Sequence, residues 1–241
     1  RVITLTLGVI AILGIVAGFV FTLQAVVPGN QFYGQTISEV KTSQKIVALT
    51  FDDGPYPPYT GQILDILKEN NVPATFFVIG RNADKHPDLL RRIAAEGHQI
   101  GVHTYNHVDL LKCDRQEIAA EIDRTAQTIK KITGVTPRVM RPPHGFRDAV
   151  VLEVMAERGL KVVEWSAMSR DWANPGVETI VRRTVGKVKN GAIILLHDGD
   201  GVAASASRAQ TVAATRQIIR DLTAQGYKFV TVSEILAKTE E

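Results

Sequence analysis

Hydrophobic positions follow two regimes along the chain. From Val2 to Val27 there is no charged residue, and most positions are aliphatic or aromatic. A helix needs roughly 20 apolar residues to cross a bilayer, and secretory apolar segments run to only about 15. Residues 1–27 are therefore expected to be a transmembrane anchor, or a signal segment if it is cleaved. Arg1 before the run places the following domain on the extracytoplasmic side of the membrane. Residues 28–44, with Gly, Asn, Gln, Ser and Thr and no sustained periodicity, read as a linker. From Lys45 onward short apolar runs alternate with stretches of helical spacing. Strands are expected at Ile46–Phe51, Ala74–Ile79, His98–His103, Arg138–Arg141, Leu160–Trp165, Ala192–Leu196 and Tyr227–Val232.

Helices are expected between them. Thr60–Asn70 carries Ile63, Leu64, Ile66 and Leu67 on one side, and Pro87–Glu96 stops at Gly97. Asp114 and Glu117 have the spacing of a capping box ahead of a helix to Thr133. Further helices fit Arg147–Arg158, Val177–Lys189 and Arg208–Gln225, with a last short one from Ser233. Seven strands alternating with helices make residues 45–241 an α/β domain on a parallel sheet. The count fits both a barrel of seven βα units and an open doubly wound sheet.

Composition adds little to this but removes some functions. Charged residues are 22% of 241 and the net charge is +3, with no basic run to track a phosphate backbone, so no nucleic-acid partner is implied. No protein partner is implied either. The single cysteine, Cys113, rules out an internal disulfide and any cysteine-based metal spacing.

The chemistry-bearing residues fall at expected strand ends. Asp52 and Asp53 follow the first strand, His103 and His107 the third, Arg141 the fourth, Asp171 the fifth, and His197 with Asp198 the sixth. In a parallel barrel, strand C-termini build the active site, so these side chains are expected on one rim. Adjacent acids repel and are tolerated when a cation neutralises one of them. His103 and His107, four apart, would face the same way on one helical turn. An Asp with two His makes a three-ligand site with an open position, the pattern of catalytic zinc. No Glu lies between the histidines, so a base must come from elsewhere, and the spare carboxylate after the first strand is the candidate. A His leaving an apolar strand, as His197 does, suits a general acid.

Five ordered stretches resemble the motifs of the NodB-type polysaccharide deacetylases, carbohydrate esterase family 4. They are Thr50-Phe51-Asp52-Asp53-Gly54-Pro55, His103 to His107, Arg141-Pro142-Pro143-His144-Gly145, Asp171-Trp172, and Leu195-Leu196-His197-Asp198. The resemblance implies a distorted (β/α)7 barrel and separates the two acids. It makes Asp52 the general base and Asp53 the metal ligand beside His103 and His107. Arg141 would hold Asp52, Asp171 would pair with the acid His197, and His144, Trp172 and Leu195 would contact substrate. Such families often carry Tyr at His144, and the segment Trp165–Arg170 lacks the acids often seen before Asp171-Trp172. The implied activity is metal-dependent removal of N-acetyl groups from a cell-surface polymer such as peptidoglycan or a chitin-like glycan. The metal would be zinc, with cobalt, nickel or manganese as alternatives. Rival readings are a C–N hydrolase of related fold acting on small cyclic amides, and an inactive membrane-tethered sugar-binding protein.

Overall fold

A computed structural model describes residue 14, residues 18–203 and residues 205–238. Among these, no helix is long and apolar enough to cross a membrane. Most of the apolar run expected as an anchor (1–13 and 15–17) lies outside the described residues. Its last part, residues 18–26, is helical. The structure therefore gives the expected anchor no support.

The domain is a curled parallel half-barrel. Its strands are β1 (Ile46–Asp52), β2 (Thr75–Val78), β3 (Gln99–Val102), β4 (Val139–Met140), β5 (Lys161–Val162), β6 (Ala167–Met168), β7 (Ala192–His197) and β8 (Lys228–Val230). They run in the order β5-β4-β3-β2-β1-β7-β6, with β8 on the first half of β1. All the ladders are parallel. β1 and β2 are wholly buried, and only His197 of β7 is not, so these strands are apolar without alternation.

The strand expected at Leu160–Trp165 is broken. β5 pairs with β4, the chain then crosses the barrel, and β6 pairs with β7 at Ala167↔Ile194. Those two pieces are the ends of the sheet, which is why the barrel is curled rather than regularly closed. The break coincides with a buried charge, Glu164, which an uninterrupted apolar strand has no means of satisfying.

Residues 36–40 lie against this opening. Ile37 bridges to Val163, and Glu39 bridges antiparallel to Ala192 at the start of β7. Val40 is buried and donates to the Gly191 carbonyl.

Helices cover the sheet at Tyr59–Glu69, Pro87–Ala95, Arg115–Thr133, Ala149–Glu157, Val177–Val185, Ala209–Ala224 and Val232–Ala237. The long one opens with the expected capping box of Asp114 and Glu117 and closes on left-handed Gly134. One short helix, Gly80–Lys85, has no sequence signal, since only eight residues separate β2 from Pro87.

Candidate active site

The strand-end residues converge, and the sheet register explains why. Asp52 is the last residue of β1 and lies level with Phe77 on one side and His197 on the other. The acid after the first strand and the histidine after the sixth thus start from one level of the sheet.

The chain turns sharply at Asp53, whose φ is 80°. Positive φ in a non-glycine residue costs free energy and persists where surroundings enforce it. Here Asn82, from the short helix, donates to the Asp53 carbonyl at 2.8 Å and to the Gly201 carbonyl at 3.0 Å. The turn sends the Asp53 side chain toward two imidazoles. Its Oδ1 is 3.4 Å from His103 Nε2 and 3.3 Å from His107 Nε2. The three facing ligand atoms all lie within 4.8 Å of one another.

His103 and His107 do not share a helical turn as their spacing suggests. They sit in a loop after β3, with positive φ at Thr104 (62°) and His107 (57°). The loop takes this shape because its backbone is held from outside. The Tyr105 and Asn106 N–H groups donate to the Glu121 carboxylate at 2.8 and 2.7 Å, and the Asn106 side chain donates to it as well. His103 Nδ1 donates to the Arg141 carbonyl at 2.7 Å, which fixes the tautomer and leaves the Nε2 lone pair facing Asp53. Glu121→Gln keeps the amide side-chain contact but weakens the two backbone ones. It is expected to reduce metal affinity about tenfold, as read by competition with a chromophoric chelator. Unchanged affinity would show that the loop holds its shape without Glu121.

The donor set fits a divalent cation. Asp53 Oδ1 is buried and accepts no hydrogen bond, which is costly unless a positive charge satisfies it. Burial pushes the Asp53 pKa up, but the imidazoles of His103, His107 and His197 more than offset this and hold the carboxyl well below its usual range. Burial and the neighbouring His103 lower His107 to about 4, which keeps it a neutral ligand. One carboxylate and two imidazoles leave positions open to water and substrate.

Around this centre stand the other expected residues. Arg141 is fully buried and spends its guanidinium on Asp52 Oδ1 (2.7 Å), Thr50 Oγ1 (2.8 Å), the Glu164 carbonyl (2.9 Å) and the Val163 carbonyl (3.2 Å). Asp52 is thereby fixed with Oδ2 3.9 Å from His103 Nε2. On the far side, Asp171 Oδ1 accepts a hydrogen bond from His197 Nδ1–H at 3.0 Å. Its Oδ2 accepts from the His197 backbone (2.8 Å) and from Thr211 (2.9 Å). Burial lowers the His197 pKa, yet the Asp171 carboxylate overrides it and raises the imidazole to about 9.

Asp52, Asp53, His103, His107 and His197 border one cleft of about 1010 Å³. His144, Trp172 and Leu195 also line it. His144, at φ 59°, sets its ring edge-on to His107 with centroids 5.0 Å apart. Trp172 is half-exposed at the rim, while Leu195 is buried in the wall. Arg141 and Asp171 act from behind the cleft, through Asp52 and His197.

A family model described as polysaccharide deacetylase matches residues 39–163. The chain belongs to the polysaccharide deacetylase family. A peptidoglycan-N-acetylglucosamine deacetylase of Bacillus cereus is 42% identical over 205 residues, covering 84% of this chain and 93% of the relative. A chitooligosaccharide deacetylase of Sinorhizobium fredii is 40% identical over 201 residues, covering 81% of this chain and 94% of that one. The crystal structure of a peptidoglycan N-acetylglucosamine deacetylase in complex with 4-naphthalen-1-yl-N-oxidanyl-benzamide superposes with a TM-score of 0.76 at 35% identity. That match covers 83% of this chain and 92% of the other.

Several residues that shape this family member's site carry no motif signal. Asn82 and Glu121 act through backbone groups, and either reads from sequence as a surface polar residue. Arg208, almost fully buried, donates to the Gly199 carbonyl (2.6 Å) and the Trp172 carbonyl (3.3 Å) and so ties two rim loops together. Asp198, which by contrast ends the fifth motif, is buried behind the site and hydrogen-bonded by Thr60 at 2.6 Å. Burial raises its pKa to about 7.

Proposed function

We propose that this protein removes N-acetyl groups from N-acetylglucosamine units of a cell-wall glycan, releasing acetate and leaving a free amine. The observation that carries this reading is one cleft in which Asp52 and His197 border the Asp53–His103–His107 cluster. Each is held by its own buried partner, Arg141 or Asp171. A base and an acid beside a metal-ligand set is what amide hydrolysis needs. Relatives named for peptidoglycan and for chitooligosaccharide are both matched over nearly their whole length, so both glycans belong among the substrates to be tried.

A divalent cation held by Asp53, His103 and His107 would polarise the acetyl carbonyl and lower the pKa of water toward about 7. Zinc suits this set, and cobalt, nickel and manganese compete for it. The chain's own residues do the rest. Asp52, oriented by Arg141, takes a proton from the attacking water. The backbone N–H of His144 donates to the carbonyl oxygen as it gains charge. Protonated His197 gives its Nε2 proton to the departing amine, while Asp171 holds Nδ1 and stabilises the imidazolium. Trp172 and Leu195 enclose the acetyl methyl. Each proton-transferring group contributes about 10²–10⁴-fold.

An acetate-release panel over peptidoglycan, N-acetylglucosamine oligomers and a small cyclic imide tests the reading. Release from the glycans is expected, abolished by thorough chelation and restored by zinc. Turnover of the imide alone, or acetate release indifferent to metal removal, would overturn it.

A further inference from the structure

Val26 and Pro28, from the segment before the barrel, line the same cleft as Asp52 and His197. Their position is not incidental packing. Arg147 is 1% exposed, and its two Nη groups make four hydrogen bonds to backbone carbonyls while Nε faces a carboxylate. Nε lies 2.8 Å from Glu164 Oε1. Nη1 donates to the Ala25 carbonyl at 3.3 Å and the Gly145 carbonyl at 3.1 Å. Nη2 donates to the Val27 carbonyl at 2.7 Å and the Asn30 carbonyl at 2.9 Å. The Arg147 backbone N–H adds a bond to the Ala25 carbonyl at 3.1 Å. The second oxygen of Glu164 accepts from the Gly29 backbone.

Burying an ion pair costs several kcal/mol per charge unless its remaining donors and acceptors are satisfied. Here three of the five donors are satisfied by carbonyls of residues 25–30 alone, so the buried pair requires this segment. The same guanidinium grips Gly145, whose Cα borders the Trp165 ring of the cleft wall. The Glu164 carbonyl also receives Arg141, the partner of Asp52. Segment, loop and catalytic base are thus joined through two arginines that share Glu164.

We propose that residues 25–30, locked down by the buried Arg147–Glu164 pair, form a specificity-determining wall of the glycan cleft. The wall rests on the deacetylase reading above. Val26 and Pro28 touch sugar units at least two removed from the reacting one, and Arg147 is a positioning residue that acts through them. Longer substrates reach the wall and shorter ones do not.

The test uses the full chain with Val26→Trp, Pro28→Ala and Arg147→Lys, assayed on the N-acetylglucosamine disaccharide and tetrasaccharide. Lysine keeps the charge of Arg147 but loses its planar fork. For Val26→Trp and Arg147→Lys, KM for the tetrasaccharide is expected to change about tenfold. Pro28→Ala is expected to shift it in the same direction by less. For Val26→Trp and Pro28→Ala the disaccharide KM and both kcat values should stay near wild type, a split that a general loss of folding would not give. Equal KM shifts for both lengths, or none in any variant, would overturn the wall. If the wild-type chain released no acetate, the deacetylase reading would fall by itself. Fluorescence titration of Trp165 and Trp172 with the two oligomers would then decide the wall, and unaltered binding of both in every variant would refute it.

Discussion

Asp52→Asn is expected to bind metal as the wild-type chain does and to lose acetate release by about 10²–10⁴-fold. The amide keeps the shape of the side chain and one oxygen that can still accept from Arg141 at the place Oδ1 now occupies. What it loses is the ability to take a proton from water. Asparagine is also the substitution that leaves the fold intact. Arg141 is fully buried beneath this carboxylate, and breaking a buried pair outright costs about 3–5 kcal/mol. Asp52→Ala would therefore mix lost catalysis with lost stability. Asp53→Asn separates the two acids, because it should weaken metal binding where Asp52→Asn does not. Metal content by elemental analysis and single-substrate kinetics check both. Full turnover in Asp52→Asn would remove Asp52 as the base.

How much of this was readable beforehand depended on whether polar residues interrupted apolar runs. Asp52, His103, Arg141 and His197 each end a run that is buried on both faces, and that abrupt change marks the rim. The structure brings every one of the expected site residues to the cleft or directly behind it. The adjacent acids were not separable by pattern. Only the left-handed turn at Asp53 sends the two side chains apart, one to the imidazoles and one to Arg141.

The spacing of His103 and His107 suggested a helix. The loop geometry that actually aligns them comes from Glu121, on a helix that begins after the loop and folds back over it. The break in the expected fifth strand was likewise hidden. Leu160–Trp165 is a plausible single run until Glu164 is seen to need Arg147 and the Gly29 backbone, partners distant in sequence. Long-range satisfaction of buried charge decides such features, and it has no local period. The same applies to residues 28–44, which have a linker's composition yet bridge to Val163 and Ala192.

The second large effect concerns His197. Its imidazole is the proton donor, so activity requires the protonated form, and kcat/KM should fall as pH rises through its pKa. In the metal-free site that pKa stands at about 9. Burial lowers it, but Asp171 raises it more, and Asp53 and Asp52 add to the rise. A cation on Asp53 cancels part of that support, so the alkaline limb is expected at or somewhat below 9. Asp171→Asn removes the largest raising influence and leaves the burial that lowers it. The limb should then move toward the ordinary histidine value near 6.5 or beneath it, and activity at pH 8 should fall about 30-fold or more. Much of that loss should be recovered on acidification, because the imidazole is still present and regains its proton. His197→Gln should lose a similar factor with no recovery at any pH. The sign of the stability change follows the same charge. A histidine whose folded pKa is raised stabilises the fold below its unfolded value near 6.5, and that contribution is lost as pH climbs through about 9. Asp171→Asn should accordingly flatten the pH dependence of thermal stability between those limits. An alkaline limb that stays in place in Asp171→Asn would show that His197 does not supply the proton.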